Sequence, residues 1–169
     1  MKTVKYTLFG FTLIILAGFA IPENLVIPVQ GATQNDWNHD TFWYEPWGSS
    51  GVHKGIDIFA TKHTPVRSAS SGIVFFSGVL GKGGNAIAVL GPKWRIHYFA
   101  HLEQRLVSVG AVVDTTKKIG TLGDTGNASG KPPHVHYSIL SLIPIPWLAT
   151  RESQGWKKMF FLNPHQELI

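Results

Sequence analysis

The chain has 169 residues, of which 44% are apolar and only 15% charged, with 18 Gly, 10 Pro and a formal charge of +5; this is the composition of one globular domain behind an apolar start, and it excludes a disordered polymer. No cysteine occurs, so disulfide scaffolds, Cys-ligated zinc ribbons, iron–sulfur clusters and thiol nucleophiles are excluded, and any metal must be held by the eight His and ten acidic residues. The positive charge falls by two without Lys2 and Lys5 and forms no Lys/Arg stripe, which argues against nucleic acid as a partner.

Lys2 and Lys5 precede an uncharged apolar run at residues 6–21, closed by Pro22-Glu23. A basic start followed by an apolar core has the form of a secretory signal, and Gly18-Phe19-Ala20 supplies small residues ahead of a cleavage point after Ala20. No strong Ala-x-Ala sequence is present, so residues 1–22 are read as a signal peptide or an N-terminal membrane anchor; the run is somewhat shorter than the roughly 20 residues of a comfortable span. Both forms predict export, and the second adds a membrane tether through residues 6–21. Once the leader is subtracted, roughly 135–150 residues remain, enough to bury about two-thirds of their unfolded surface in one core.

Residues 23–50 read as a linker or irregular lead-in, since 30–50 are rich in Asn, Asp, Gly, Ser and Trp without a period. Beyond Gly51, short alternating or β-branched segments recur at 56–59, 72–80, 85–90, 94–102, 106–113, 118–122 and 134–143, separated by Gly, Pro, Asn and Asp. They predict an all-β domain over 51–169, a mainly antiparallel sheet folded on itself. The Gly-rich stretch 78–85 lacks the Gly-Lys-[Ser/Thr] ending of a phosphate loop and is read as a hairpin turn. Trp37, Trp43 and Trp47 suit either sugar stacking or core packing. The aromatic stretch 147–162 suits a groove cover, a sheet contact or a partner contact.

Side chains alternate faces along a strand. Parity therefore puts His53, Gly55 and Asp57 opposite Ile56 and Ile58, and His134, His136 and Ser138 opposite Val135, Tyr137 and Ile139. It also puts His97, Phe99 and His101 on one face. A face holding several imidazoles and a carboxylate has the composition of a catalytic zinc site, with three N/O ligands and a fourth position for water. His39, His63 and His165 are read as surface or turn residues.

Several segments then fall into a known order. His53-x-Gly-Ile-Asp57-Ile58 is followed by Thr64-Pro65-Val66, Ser71-Gly72-Ile73-Val74, Gly84-Asn85, Tyr98-Phe99-Ala100-His101-Leu102, Gly123-Asp124-Thr125-Gly126-Asn127, His134-Val135-His136 and Leu162-Asn163-Pro164. Together they resemble the zinc metallopeptidases of the lysostaphin and LytM type, peptidase family M23, over residues 51–165. The resemblance implies the family's compact, β sandwich-like core. It also implies that His53, Asp57 and His136 bind one Zn²⁺ while His101 and His134 act beside it in proton transfer and oxyanion stabilisation. His63 departs from it, standing where the family usually has Gly, and a positive φ there carries a local cost. Tyr44 is a candidate for an assisting hydroxyl.

What the resemblance implies about activity is an exported endopeptidase of the periplasm or cell wall. It would cleave peptide crosslinks or bridges of bacterial peptidoglycan with a zinc-activated water. The alternatives are a non-hydrolytic module that binds peptidoglycan or activates other wall hydrolases, and an exported metallopeptidase of protein substrates. The intact His53, Asp57 and His136 favour the enzyme over the binding module.

Overall fold

The computed structural model describes residues 2–169, apart from the side chains of residues 2–5, 8 and 11. Met1 and the Lys2 and Lys5 side chains, on which the leader reading depends, therefore lie outside the described residues. Helix α1 (Lys2–Ala20) is followed by β1 (Ile56–Phe59), β2 (Pro65–Arg67), β3 (Gly72–Val79), β4 (Asn85–Leu90), β5 (Arg95–Arg105), β6 (Val112–Val113), β7 (Lys118–Leu122), β8 (His134–Ser141), β9 (Phe161–Leu162) and the short α2 (Pro164–Glu167). The nine strands form one antiparallel network in the order β1-β8-β5-β4-β3-β6. Strand β7 bridges β5 and β2, and β9 pairs with the second half of β8.

The alternation in the sequence is what divides this sheet into two faces. Val74, Ile87, Val89, Phe99, Val135, Tyr137 and Ile139 point to one side and are fully buried. Val66, Ile119 and Leu122 of the β2–β7 branch close over the same cluster with Ile56 and Ile58. Each such side chain contributes about 1.5–3 kcal/mol. The opposite face of β4, β5 and β8 carries the functional groove.

Two strands escape sequence reading because they are short: β2 has 3 residues and a register shift at Val66/Arg67, and β9 has 2. The expected strand at 106–113 shrinks to β6, because the chain reverses in a turn where Ala111 N donates to Ser108 O and Gly110 takes φ +88°. The Gly-rich stretch is the β3–β4 hairpin connection, as expected.

The lead-in is irregular but is not a free linker. Val29 bridges to Val66, and Val29, Trp37 and Trp43 are buried. Irregular backbone buries side chains without a period, so the pattern that betrays strands gives no warning of this packing. Glu23 anchors the upstream end: its carboxylate, almost wholly buried, meets Arg95 Nη1 at 2.5 Å and His97 Nε2 at 3.0 Å. Arg95 also meets Glu167 of α2 at 2.7 Å, and His97 Nδ1 lies 2.8 Å from the Tyr137 hydroxyl. Burial opposes ionisation of Glu23, but hydrogen bonding and charge from His97, with Arg95, outweigh it and lower its pKa.

Helix α1 touches the domain through Trp94, whose Nε1 donates to Ile15 O at 2.9 Å, and exposes Phe9, Leu13, Ile14 and Leu16. Among the described residues, no helix is long and apolar enough to cross a membrane.

Two stability predictions follow from these contacts. His63 has φ +71°, the left-handed conformation that costs a side chain about 1–2 kcal/mol, so His63→Gly should raise stability by about 0.5–1 kcal/mol in urea unfolding, after the extra chain entropy of glycine. Glu23→Ala should lower stability at neutral pH by about 3 kcal/mol, because it removes the buried carboxylate that His97 and Arg95 share and leaves Arg95 only Glu167. Since the folded pKa of Glu23 is depressed, its contribution is present above the ordinary value of 4.5 and is lost as the pH falls through the folded value. The gap between wild type and Glu23→Ala should therefore narrow in acid.

Candidate metal centre

Strand β8 places the centre because it pairs on both edges. Its pairing with β1 sets Asp57 opposite His136 and Phe59 opposite His134, and its pairing with β5 sets Ala100 opposite His136 and Tyr98 opposite Ser138. Residues paired across strands share a face, so these side chains line one groove. Gly55 lets the chain entering β1 pass close to β8, where a Cβ would collide with the carbonyl of Tyr137. His53 precedes β1 and is held by the lead-in: His53 N donates to Tyr44 O at 3.0 Å, and Trp43 N donates to His53 O at 2.7 Å. The Trp47 ring stacks on the His53 imidazole at 4.0 Å between centroids.

Three donor atoms converge here. His53 Nε2 lies 3.2 Å and His136 Nδ1 2.9 Å from Asp57 Oδ1, and the two ring nitrogens are 3.0 Å apart. Each imidazole has a partner on its outer nitrogen. His53 Nδ1 is 3.1 Å from Thr41 O, and a carbonyl can only accept, so the neutral ring donates there and turns the Nε2 lone pair inward. His136 Nε2 is 2.9 Å from the Ser138 hydroxyl, which leaves Nδ1 facing Asp57. The outer partner is thus a main-chain carbonyl for one ring and a hydroxyl for the other. Burial lowers the pKa of His136 despite Asp57; burial also opposes ionisation of Asp57, but the two imidazoles beside its Oδ1 outweigh it and hold the carboxyl well below the usual range. Two imidazoles and a carboxylate with donor atoms within 4.8 Å of one another are a set that can hold a divalent metal such as zinc. Among the described residues, this is the one group of its kind.

His101 and His134 stand beside the trio, their rings 5.0 Å apart. His101 Nδ1 lies 2.8 Å from Thr125 O, and His134 Nδ1 lies 2.8 Å from Pro132 O. Each ring spends its Nδ1–H on a carbonyl, which makes Nε2 the basic nitrogen; that of His134 is 3.9 Å from Asp57 Oδ2. Burial pushes the His101 pKa down to about 4, against the Thr125 carbonyl, so the ring is neutral at neutral pH. Thr125 is itself pinned, its hydroxyl accepting from Asn85 N and donating to Leu102 O, both at 2.9 Å. Sequence reading missed this role, because a threonine in a Gly-rich turn has no mark of its own.

Parity is right for β1 and β8 and wrong for β5. His97 and Phe99 point into the core, whereas His101 joins Tyr98 and Ala100 in the groove. The reason is local: His101 has φ +62°, an irregularity that breaks the two-residue alternation. His97 therefore belongs to the Glu23 network. His39 and His165 stack on each other at 4.1 Å, and Tyr44 lines a separate cavity with Asp40 and Glu152 and lines neither arm of the groove. Trp37 and Trp43 pack in the core, while Trp47 lines the groove.

The groove has two arms that share Trp47, Ser50, Lys82, His101, Asn127 and His136. One, of about 570 Å³, is lined by Phe75, Phe76, Leu80, Tyr98, Leu140 and Phe161. The other, of about 460 Å³, is lined by Asp57, Phe59, Asn127, Lys131 and His134. Phe161 reaches the first arm because β9 pairs with β8, whereas Trp147 and Trp156 of the same aromatic stretch stay exposed.

Comparison with known proteins agrees with this geometry. The chain is 31% identical over 142 residues to an L-Ala--D-Glu endopeptidase of Bacillus subtilis, covering 74% of this chain and 44% of the relative. It is 37% identical over 93 residues to a peptidoglycan DD-endopeptidase of Vibrio cholerae, covering 55% of this chain and 21% of the relative. The chain thus spans less than half the length of these relatives. The solved catalytic domain of the antimicrobial peptidase lysostaphin from Staphylococcus simulans superposes with a TM-score of 0.53 at 33% identity, covering 56% of this chain and 72% of that one. Full lysostaphin gives 0.57 at 27% identity, covering 74% and 46%. The family model described as peptidase family M23 matches residues 51–143, and with over half the chain inside that match, the protein belongs to peptidase family M23.

Proposed function

We propose that this chain is an exported zinc endopeptidase that cuts peptide bonds of bacterial peptidoglycan. The observation that carries the reading is the convergence of His53, Asp57 and His136 beside two histidines whose Nδ1 atoms are both tied to main-chain carbonyls. The relatives named as peptidoglycan endopeptidases support the substrate class. Residues 1–22, basic and then apolar, support a signal peptide or anchor that would bring the domain to a substrate outside the cytoplasmic membrane. One zinc ion is assigned to His53, Asp57 and His136.

Bound there, zinc would supply Lewis acidity toward an amide carbonyl and a water of lowered pKa. The remaining chemistry falls to the chain. Of His134 and His101, each fixed in one tautomer by its carbonyl, one accepts a proton at Nε2 and returns it to the departing amine. The other ring, when protonated at Nε2, is an N–H donor for the charge developing on the carbonyl oxygen. Trp47 keeps the His53 ring in place by stacking, and Thr41 O and the Ser138 hydroxyl fix the two ligand rings from outside.

The test uses residues 21–169, which retain Glu23, with isolated peptidoglycan and mass spectrometry of the released fragments. Wild type should carry one zinc and release fragments with new peptide termini, and His136→Ala should lose both the metal and the cleavage. His101→Ala and His134→Ala should keep the metal and lose cleavage by about 10²-fold or more. Bound zinc without any fragment would overturn the reading in favour of a non-hydrolytic wall module, and preference for casein would move it to protein substrates.

A further inference from the structure

The charged side chains of the groove are unevenly placed. Apart from Asp57, those lining either arm are Lys54, Lys82 and Lys131, and no other carboxylate lines them among the described residues. Lys54 is committed elsewhere: its Nζ donates to Ser50 O at 3.3 Å and lies over the Trp43 ring. Lys82 and Lys131 are exposed, and among the described residues neither has a carboxylate within ion-pair distance. In contrast, Lys62 meets Asp124 and Glu103, and Lys158 meets Glu152.

Lys82 also reaches across the groove. It projects from the β3–β4 hairpin to the hydroxyl of Ser49 in the lead-in turn Gly48–Ser50, close to where the two arms meet. A neutral hydroxyl is a weaker partner for an ammonium than a carboxylate is, so an anionic group entering here can displace Ser49. Beyond the shared Lys82 and the committed Lys54, the other arm is lined mainly by Phe75, Phe76, Leu80, Ile96 and Leu140, which offer a charge no hydrogen bond.

We propose that Lys82 and Lys131 bind a carboxylate of the substrate peptide beside the scissile amide, so that this centre selects peptides with an anionic flank in the Lys131 arm and an uncharged flank in the Phe75–Leu140 arm. This deepens the endopeptidase reading and rests on it. The two lysines are specificity residues; the metal ligands and the two groove histidines do not discriminate between the flanks.

The experiment uses zinc-loaded protein and two synthetic crosslinked stem peptides that differ only in bearing free carboxylates or their carboxamides. KM, kcat and calorimetric Kd are measured for wild type, Lys82→Met, Lys131→Met and a remote control, Lys117→Met. Wild type and the control should favour the carboxylate form roughly three- to tenfold in KM and Kd, with the preference shrinking at high salt. Lys82→Met and Lys131→Met should each lose most of that preference, through KM rather than kcat. Equal affinity of wild type for the two peptides, or a preference undiminished in both lysine variants, would overturn the inference. If neither peptide is cut, the endopeptidase reading fails, and the Kd comparison still decides whether the lysines select a carboxylate.

Discussion

The strand β8 has partners on both edges, and that constraint carries the rest of the molecule. Its first half pairs with β1 and its other edge with β5, so its alternation assigns Val135, Tyr137 and Ile139 to the core and His134, His136 and Ser138 to the groove. A slip of one residue would exchange the two sets, driving imidazoles into an apolar core and three large side chains into water. Burial of Tyr137 and Ile139 therefore enforces the register that brings His136 against Asp57. Core and metal centre are two faces of the same pairing.

The centre is also prepared by what lies behind each imidazole. Four histidines each have one ring nitrogen bound outward, to Thr41 O, Thr125 O, Pro132 O and the Ser138 hydroxyl. These contacts fix the rings and choose the nitrogen that faces the groove before anything binds. Burial keeps His101 neutral, and a neutral ring there avoids the repulsion that an imidazolium would meet beside His134 and His136. The positive φ of His101 fits this picture, since strained backbone persists where surrounding contacts over-determine it. Those contacts are the bond to Thr125 and the pairing of Leu102 with Leu122 on the far side.

The lead-in is as much a part of the centre as the sheet. Tyr44 and Trp43 hold the backbone of His53, Thr41 holds its ring, and Trp47 stacks on it. The turn Gly48–Ser50 forms one bank of the groove opposite the β3–β4 hairpin. At its upstream end, Glu23 ties the same segment to β5 and α2 through Arg95 and His97. A domain cut at Gly51 would keep the matched family segment and lose these supports.

The sequence by itself determined the all-β class, the faces of β1 and β8, and the identity of His53, Asp57, His136, His101 and His134 as the candidate set. It could do so because period-two alternation and the order of short motifs are local properties that survive without coordinates. Tertiary structure alone decided the rest. His97 left the expected face because a single left-handed residue at His101 reset the alternation, and no pattern in the residues marks that change. The irregular lead-in became part of the core because indoles at Trp37 and Trp43 bury without any period. Thr125, Trp47 and the unpaired lysines gained their places only when segments far apart in the chain met across the groove, a long-range contact that local residue order does not encode.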